Sequence, residues 1–489
     1  MNLSEPLYFA FLAIVFILFH MLAPGSPRRL LLLAASYYFY SQVSHFYIAV
    51  LVLVTAITYF GARLLRSPGL EHRRGTFFAL VMALTVLPLL AFKYLPPLLL
   101  ALGGYAPLPQ PWRSELMVFA IPIGISFFTF AALGYLADVY LEVIEPEENL
   151  GKVALFLAFF PIVTSGPIER GGFMRQFEFD HKFSSDQALA GVRLILIGLI
   201  LKIVFAQNLG EPVDPIFAAP EKWSSLENLI GAIDCTFFIY ADFSGYTLIA
   251  IGSALLFGLQ VRPNFQQPFL SATIPEFWRH WHMSLSFWVR DYIFLPLRTE
   301  WRNAGRAGMA AALFISIVTI GVWHGARWGY LVFGLMHACF VVTSSFTLAR
   351  RDAFWQRIHF PPPLLYLARV AVTFSLVMAS YVVFRADTMG QALTMFGKIL
   401  SPGLLPELAQ AVSWFGFHHG PSMSLPLLNY RPLFFIPVMI LGDILVRKKI
   451  TLEKFPFVLQ WILYALAVTE IAGTWFDSYA PHAFVYNKF

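Results

Sequence analysis

Two histidines stand in surroundings where their chemistry would be useful. The segment Pro275 to Phe294 reads PEFWRHWHMSLSFWVRDYIF, and the segment Gly321 to His337 reads GVWHGARWGYLVFGLMH. A histidine titrates near neutrality, so it can take a proton from a hydroxyl and later return it. A transfer onto a hydroxyl needs such a base as the oxygen attacks an acyl carbonyl. It also needs a positive or hydrogen-bonding group for the oxyanion that forms. No metal or cofactor enters that scheme, and the sequence carries no P-loop, GxSxG elbow or zinc signature. His324 and His282 are therefore the first candidates, each with a bland alternative. His324 could be a histidine hydrogen-bonded in a helix interface. His282 could sit on an amphipathic helix at a membrane surface, with arginines snorkelling to head groups.

The elements around them decide what they can do. Thr273, Pro275 and Glu276 suit the cap, first turn and positive end of a helix. On a helix running to Phe294, Arg279, His282, Ser286 and Arg290 fall within an arc of ~80°. Trp281, Leu285, Trp288 and Tyr292 fall within ~60° on the opposite side. That pattern predicts a polar wall backed by an aromatic one. Gly321, Gly325 and Gly329 recur every four residues, a small-residue stripe that lets another helix approach closely. His324 lies one helical step beside it, next to Arg327 and Trp328.

All of this is set in an apolar chain. Of 489 residues, 58% are hydrophobic and 13% charged, about half the charged share of an ordinary soluble domain. Mean hydropathy is +0.67. Most of the surface must therefore meet lipid. Apolar runs predict spans near 7–23, 30–42, 46–65, 77–95, 115–141, 188–206, 226–258, 307–326, 328–349, 364–386, 432–446 and 455–475. The run 226–258 is long enough to hold a broken helix. The first run lacks the basic flank and cleavage site of a signal peptide and is expected to remain as a membrane helix. The net charge of +6 lies mostly in short loops, which argues for topology and against nucleic acid. Arg28, Arg29, Arg63, Arg66, Arg73 and Arg74 fall on one side. The turn 96–111 carries no Lys or Arg, so the N-terminus is expected outside. Cys235 and Cys339 have no metal-ligand spacing and are expected as small core residues. Three stretches do not read as spans: Phe159 to Phe183, Pro263 to Arg306 and Ser401 to Arg431. The first two are candidates for re-entrant segments lining a site; the third reads as an exposed loop.

Five blocks, in order, resemble the membrane-bound O-acyltransferase family, in its bacterial branch of alginate O-acetyltransferases and D-alanyl transferases of teichoic acids. They are IPIGISFFTFAALGYLADVY (121–140), FFPIVTSGPIER (159–170), YADFSGYTLIAIG (240–252), PEFWRHWHMSLSFWVRDYIFLPL (275–297) and GVWHG (321–325). The tail AFVYNKF is similar too. The resemblance implies an all-α polytopic fold, a ring of about 11–12 transmembrane helices with re-entrant segments around a central tunnel. It implies one integral-membrane domain over 1–489, with N-terminal helices to 115, a catalytic core over 116–345 and C-terminal helices from 346. His324 matches the family's catalytic histidine and His282 its second functional histidine. Asp242, Ser244 and Tyr246 are candidates to line the tunnel, with Arg279, Ser286, Arg290 and Trp323. Asp242 could equally be a buried structural acid.

The implied activity is transfer of a short acyl group, acetyl first among them, from a cytoplasmic thioester to a hydroxyl of an exported polysaccharide. The donor would be acetyl-CoA or an acyl-loaded carrier protein, with no bound cofactor. The partners would be membrane lipids, a secreted SGNH-type acyltransferase or an acyl carrier protein, and the location the bacterial inner membrane, crossed many times. The same chemistry could take D-alanyl from a carrier or use a lipid or small-molecule acceptor. A transporter with His282, Arg279 and Asp242 along a solute path is the alternative outside enzymology. One departure stands out. Where the alginate-type enzymes follow LPL with a GGNR-like turn, this chain has Arg298 to Asn303, which the sequence places beside the proposed site.

Overall fold

The computed structural model describes residues 1–43, 47–102, 121–180, 182–417, 431–450 and 454–477. The tail 483–489, the start of the span expected at 115–141, residues 103–111 of the uncharged turn and residues 418–430 of the third irregular stretch lie outside them.

Its principal helices are α1 (Pro6–Met21), α2 (Ser26–Val43), α3 (Ile48–Leu65), α4 (Arg74–Leu89), α5 (Ile125–Tyr140), α6 (Leu150–Ala158), α7 (Ser185–Leu199), α8 (Ser225–Leu256), α9 (Ile274–His280), α10 (Met283–Val289), α11 (Leu295–Glu300), α12 (Gly305–His324), α13 (Trp328–Arg357), α14 (Pro362–Arg385) and α15 (Arg431–Arg447). Each of the twelve expected spans falls on a helix, and no strand is present among the described residues. Among the described residues seven helices, counted with the turns that extend them, are long and apolar enough to cross a membrane: Ile48–Leu65, Pro68–Leu100, Ser185–Gly210, Ser225–Leu256, Arg302–His324, Trp328–Arg357 and Pro362–Arg385. Pro6–Met21, Ile125–Tyr140 and Phe457–Gly473 are apolar but shorter. The chain is an all-α polytopic membrane protein. Backbone donors and acceptors closed within each helix are what let such a chain sit in hydrocarbon.

The chain divides into two compact units. The first comprises Met1–Gly198, Tyr246–Asn264 and Ser284–Pro296; the second comprises Leu199–Gly245, Phe265–Met283 and Leu297–Phe489.

In the first unit, the irregular stretch after α6 is enclosed by protein: residues 153–171 are buried throughout. Its backbone groups find side-chain partners. Ser36 Oγ accepts from Phe160 N at 3.1 Å and Ser284 Oγ accepts from Ile168 N at 3.0 Å. Gly124 has φ 81, and a Cβ there would collide with the Val163 carbonyl. Only glycine fits both constraints. The stretch therefore behaves as irregular backbone inside a membrane protein must, with its polar groups satisfied internally. Gly191 of α7 and Gly252 of α8 meet back to back, a Cβ on Gly191 lying 2.8 Å from the Gly252 carbonyl. At one end of the same unit Arg66 pairs with Glu142 at 2.8 Å and with Glu145 at 2.9 Å. Arg74 and Arg66 hold the exposed Glu142 carboxyl below its usual range. The basic loop between α3 and α4 thus shares its end with the loop after α5.

Three expectations are corrected here. The helix at 226–258 is not broken: α8 runs unbroken for 32 residues. Its glycines are contact points, not hinges. The helix expected from Pro275 to Phe294 is broken instead, between α9 and α10. The stretch at Ser401 is not a plain loop, because Leu404–Phe417 is helical.

Candidate active site

Both histidines belong to the second unit and stand at helix ends. Thr273 caps α9 as expected, its hydroxyl accepting from Glu276 N at 3.2 Å. Pro275 sits in the first turn. The helix then lasts only seven residues, and His282 adopts φ 41. A left-handed conformation is uncommon outside glycine and persists where the surroundings enforce it. It turns His282 inward, leaving it 1% exposed. The imidazole lies edge-on to Phe243 of α8, ring centroids 4.8 Å apart, and to Trp323, 5.6 Å apart.

His324 is the last residue of α12, 5% exposed. Gly325 follows with φ 148 and ends the helix. The glycines expected as one stripe are therefore divided over a hairpin. A Cβ on Gly321 would lie 2.7 Å from Gly334 Cα of α13. One on Gly329 would lie 2.7 Å from the Val383 carbonyl of α14. The close approach is real, and it pins α12, α13 and α14 around His324. The imidazole is 4.9 Å from the Phe384 ring and 6.0 Å from those of Tyr330 and Phe333. Its own neighbour Trp323 lies 5.0 Å away, centroid to centroid.

Trp323 thus packs against both imidazoles. The pair sits in an aromatic enclosure that excludes bulk water, where hydrogen bonds and developing charge count for more than in solvent. The outer wall is tied by Arg327, which donates to the Ala386 carbonyl at 2.7 Å and lies over the Tyr330 ring at 5.2 Å.

The other sequence candidates divide. Arg279 and Arg290 are exposed and Ser286 is half-buried. The helix break at His282, followed by a π-helical turn over Arg290–Phe294, destroys the single polar stripe that a continuous helix would have given. Asp242, Ser244 and Tyr246 are all buried on α8. Successive steps of 200° put Ser244 on the face away from the other two, so the three do not form one lining. Asp242 makes a buried ion pair with Lys202. In the first unit the Tyr246 hydroxyl bonds to Thr164 Oγ1. Ser286 and Arg290 also lie in that unit, with Trp288 Nε1 donating to the Phe130 carbonyl at 2.9 Å and Tyr292 donating to Asp138 at 2.6 Å.

Lys202 was missed by the sequence reading, although a lone lysine in the apolar run 188–206 was signal enough. His337 was passed over too. It is fully buried, with Nδ1 accepting from Trp278 Nε1 at 3.3 Å and Nε2 bonded to Ser380 Oγ at 2.8 Å. Arg298 to Asn303 does not lie beside His324. It forms the second half of α11 and the turn before α12, and the 20 residues of α12 put His324 ~30 Å away at the other end. Cys235 is buried as expected, but Cys339 is exposed.

Comparison with known proteins adds an independent line. The sequence model of the membrane-bound O-acyltransferase family matches residues 147–383, which contain both histidines. The probable alginate O-acetylase of Pseudomonas aeruginosa is 32% identical over 422 residues, covering 83% of this chain and 76% of that protein. The peptidoglycan O-acetyltransferase of Helicobacter pylori is 28% identical over 431 residues, covering 80% and 78%. The teichoic acid D-alanyltransferase of Bacillus subtilis is 28% identical over 298 residues, covering 58% and 72%.

Proposed function

Because this chain belongs to the membrane-bound O-acyltransferase family, we propose that it carries a short acyl group, acetyl, from a cytoplasmic thioester to a hydroxyl of an exported polysaccharide. The observation that carries the site assignment is the buried Trp323, whose ring packs against both His282 and His324. His324 is the general base. It takes the proton of the attacking hydroxyl while the oxygen bonds to the thioester carbonyl. The tetrahedral oxyanion collapses, the C–S bond breaks, and the imidazolium returns its proton to the departing thiolate. The products are an ester and a thiol, and no electron acceptor is needed. His282 helps to stabilise the oxyanion, held at its angle by the left-handed backbone.

The donor is acetyl-CoA or an acyl-loaded carrier protein in the cytoplasm. The acceptor is reached directly or through an extracytoplasmic partner of the SGNH type. The membrane is the bacterial inner membrane, with the N-terminus outside. A carrier protein as donor, as in D-alanyl transfer, gains support from the exposed Arg298 of α11, Arg302 of the following turn and Arg306 at the start of α12, since acidic carriers seek such surfaces. The solute-path reading gives way to membership of an acyltransferase family.

The test is turnover of the purified protein with labelled acetyl-CoA and, in parallel, with an acetyl-loaded carrier protein. His324→Ala should lower transfer from whichever donor is used by 10²–10⁴-fold, the span of general base catalysis. Near-normal turnover of a folded His324→Ala protein would refute the assignment.

A further inference from the structure

Away from both histidines the second unit contains a groove of about 620 Å³. It runs along α13 and α14, with the residues before α9 contributing Thr273 and Ile274. Neither His282 nor His324 lines it. Its α13 residues extend from Cys339 to Trp355, ~24 Å at the helical rise. That is a long, narrow shape.

The two ends of the groove differ. Towards Cys339 the walls are Phe340, Val372 and Leu376. Towards Trp355 they carry Arg351 and Arg369. Arg369 is paired with Asp352. Arg351 donates to Ser344 Oγ at 3.2 Å, and it has no acidic partner among the described residues. The groove therefore presents a guanidinium without an acidic partner at one end of a channel whose apolar walls are interrupted by the hydroxyls of Thr343, Ser344, Thr347 and Thr373. Both helices that form it are long and apolar enough to cross the membrane. A tryptophan and arginines at one end of such helices mark the head-group level.

We propose that this groove is a binding site for one anionic phospholipid, its acyl chain laid between α13 and α14 and its phosphate on Arg351. The shape takes an extended chain, and the volume falls within the usual range for small-molecule sites. Guanidinium is the side chain best matched to a phosphate, by charge and by fork geometry. The lipid would fill the gap between two helices that also wall the His324 enclosure through Tyr330, Phe333 and Phe384.

Native mass spectrometry of the purified full-length protein tests this. The detergent-solubilised protein is incubated with phosphatidylglycerol, with phosphatidylcholine of the same chains, and with inorganic phosphate as competitor. One phosphatidylglycerol per chain should remain bound, at least tenfold more than phosphatidylcholine. Arg351→Gln should reduce that retention at least tenfold. Ala368→Phe, which fills the channel, should abolish retention of both lipids. Brominated phosphatidylglycerol should quench wild-type fluorescence by an increment that Trp355→Phe removes; this keeps the test independent of how Ala368→Phe folds. Equal retention of the two lipids would overturn the phosphate contact. Displacement by inorganic phosphate would mean a small-anion site. Unchanged retention in Arg351→Gln, or an unchanged quenching increment in Trp355→Phe, would overturn the site itself.

Discussion

The second unit holds two tryptophan–histidine arrangements that look alike in sequence and differ in structure. In one, Trp278 and Ser380 bond to the two ring nitrogens of His337. The residues come from α9, α13 and α14, and His337 lies inside a continuous helix. In the other, Trp323 packs against both His282 and His324, each at a point where a helix stops. One of those stops is a non-glycine residue at φ 41. The first arrangement is a stitch between helices, made of neutral groups satisfied by fixed partners. The second is surrounded by rings and set at helix ends, one of them with the left-handed backbone that clusters at functional sites. A buried histidine is thus not a site by burial alone; the place of the residue along its helix separates the two.

The comparison predicts that stitches govern stability and the Trp323 pair governs activity. The largest stability effect should come from the buried Lys202–Asp242 pair. Lys202→Met removes the buried cation paired with Asp242 and should cost about 3–5 kcal/mol, and combining it with Asp242→Leu should recover most of that loss. Denaturant midpoints of the detergent-solubilised variants would check it, and a loss below 1 kcal/mol would contradict it. His337→Ala should cost about 1–3 kcal/mol by orphaning the Trp278 indole N–H, while Ser380 keeps its bond to the Val377 carbonyl, with turnover per folded molecule within threefold of wild type. His282→Asn is next. Asparagine tolerates the left-handed conformation, so stability should change by less than about 1 kcal/mol while turnover falls at least tenfold, about 1.4 kcal/mol. Equal turnover would make His282 a packing residue. Arg327→Lys should have the smallest effect. It loses the planar fork that reaches the Ala386 carbonyl but keeps the charge, and a severalfold drop in turnover at unchanged melting temperature is expected.

The helices were legible because long apolar runs leave a chain few choices in lipid. The α9 cap was legible because Thr273, Pro275 and Glu276 each act locally. The break at His282 was not. Trp281 and His282 carry no glycine or proline, and the packing of Phe243 and Trp323 against the imidazole is what the break serves. The unbroken α8 was misread because its 32 residues exceed one straight span, while its Gly252 serves a close contact with Gly191. His324 could be placed beside a glycine seam from spacing alone. That the seam folds into a hairpin, and that Trp323 bridges the two histidines, depends on residues about forty apart in the chain. No local pattern encodes such contacts.

The most direct measurement is a side-by-side comparison of His324→Ala and His337→Ala. Both are purified as folded protein and assayed for labelled acyl transfer with saturating donor. The site as assigned predicts a loss of 10²–10⁴-fold for His324→Ala, and activity near wild type for His337→Ala once corrected for folded fraction. Equal losses in the two variants, or the larger loss in His337→Ala, would contradict it.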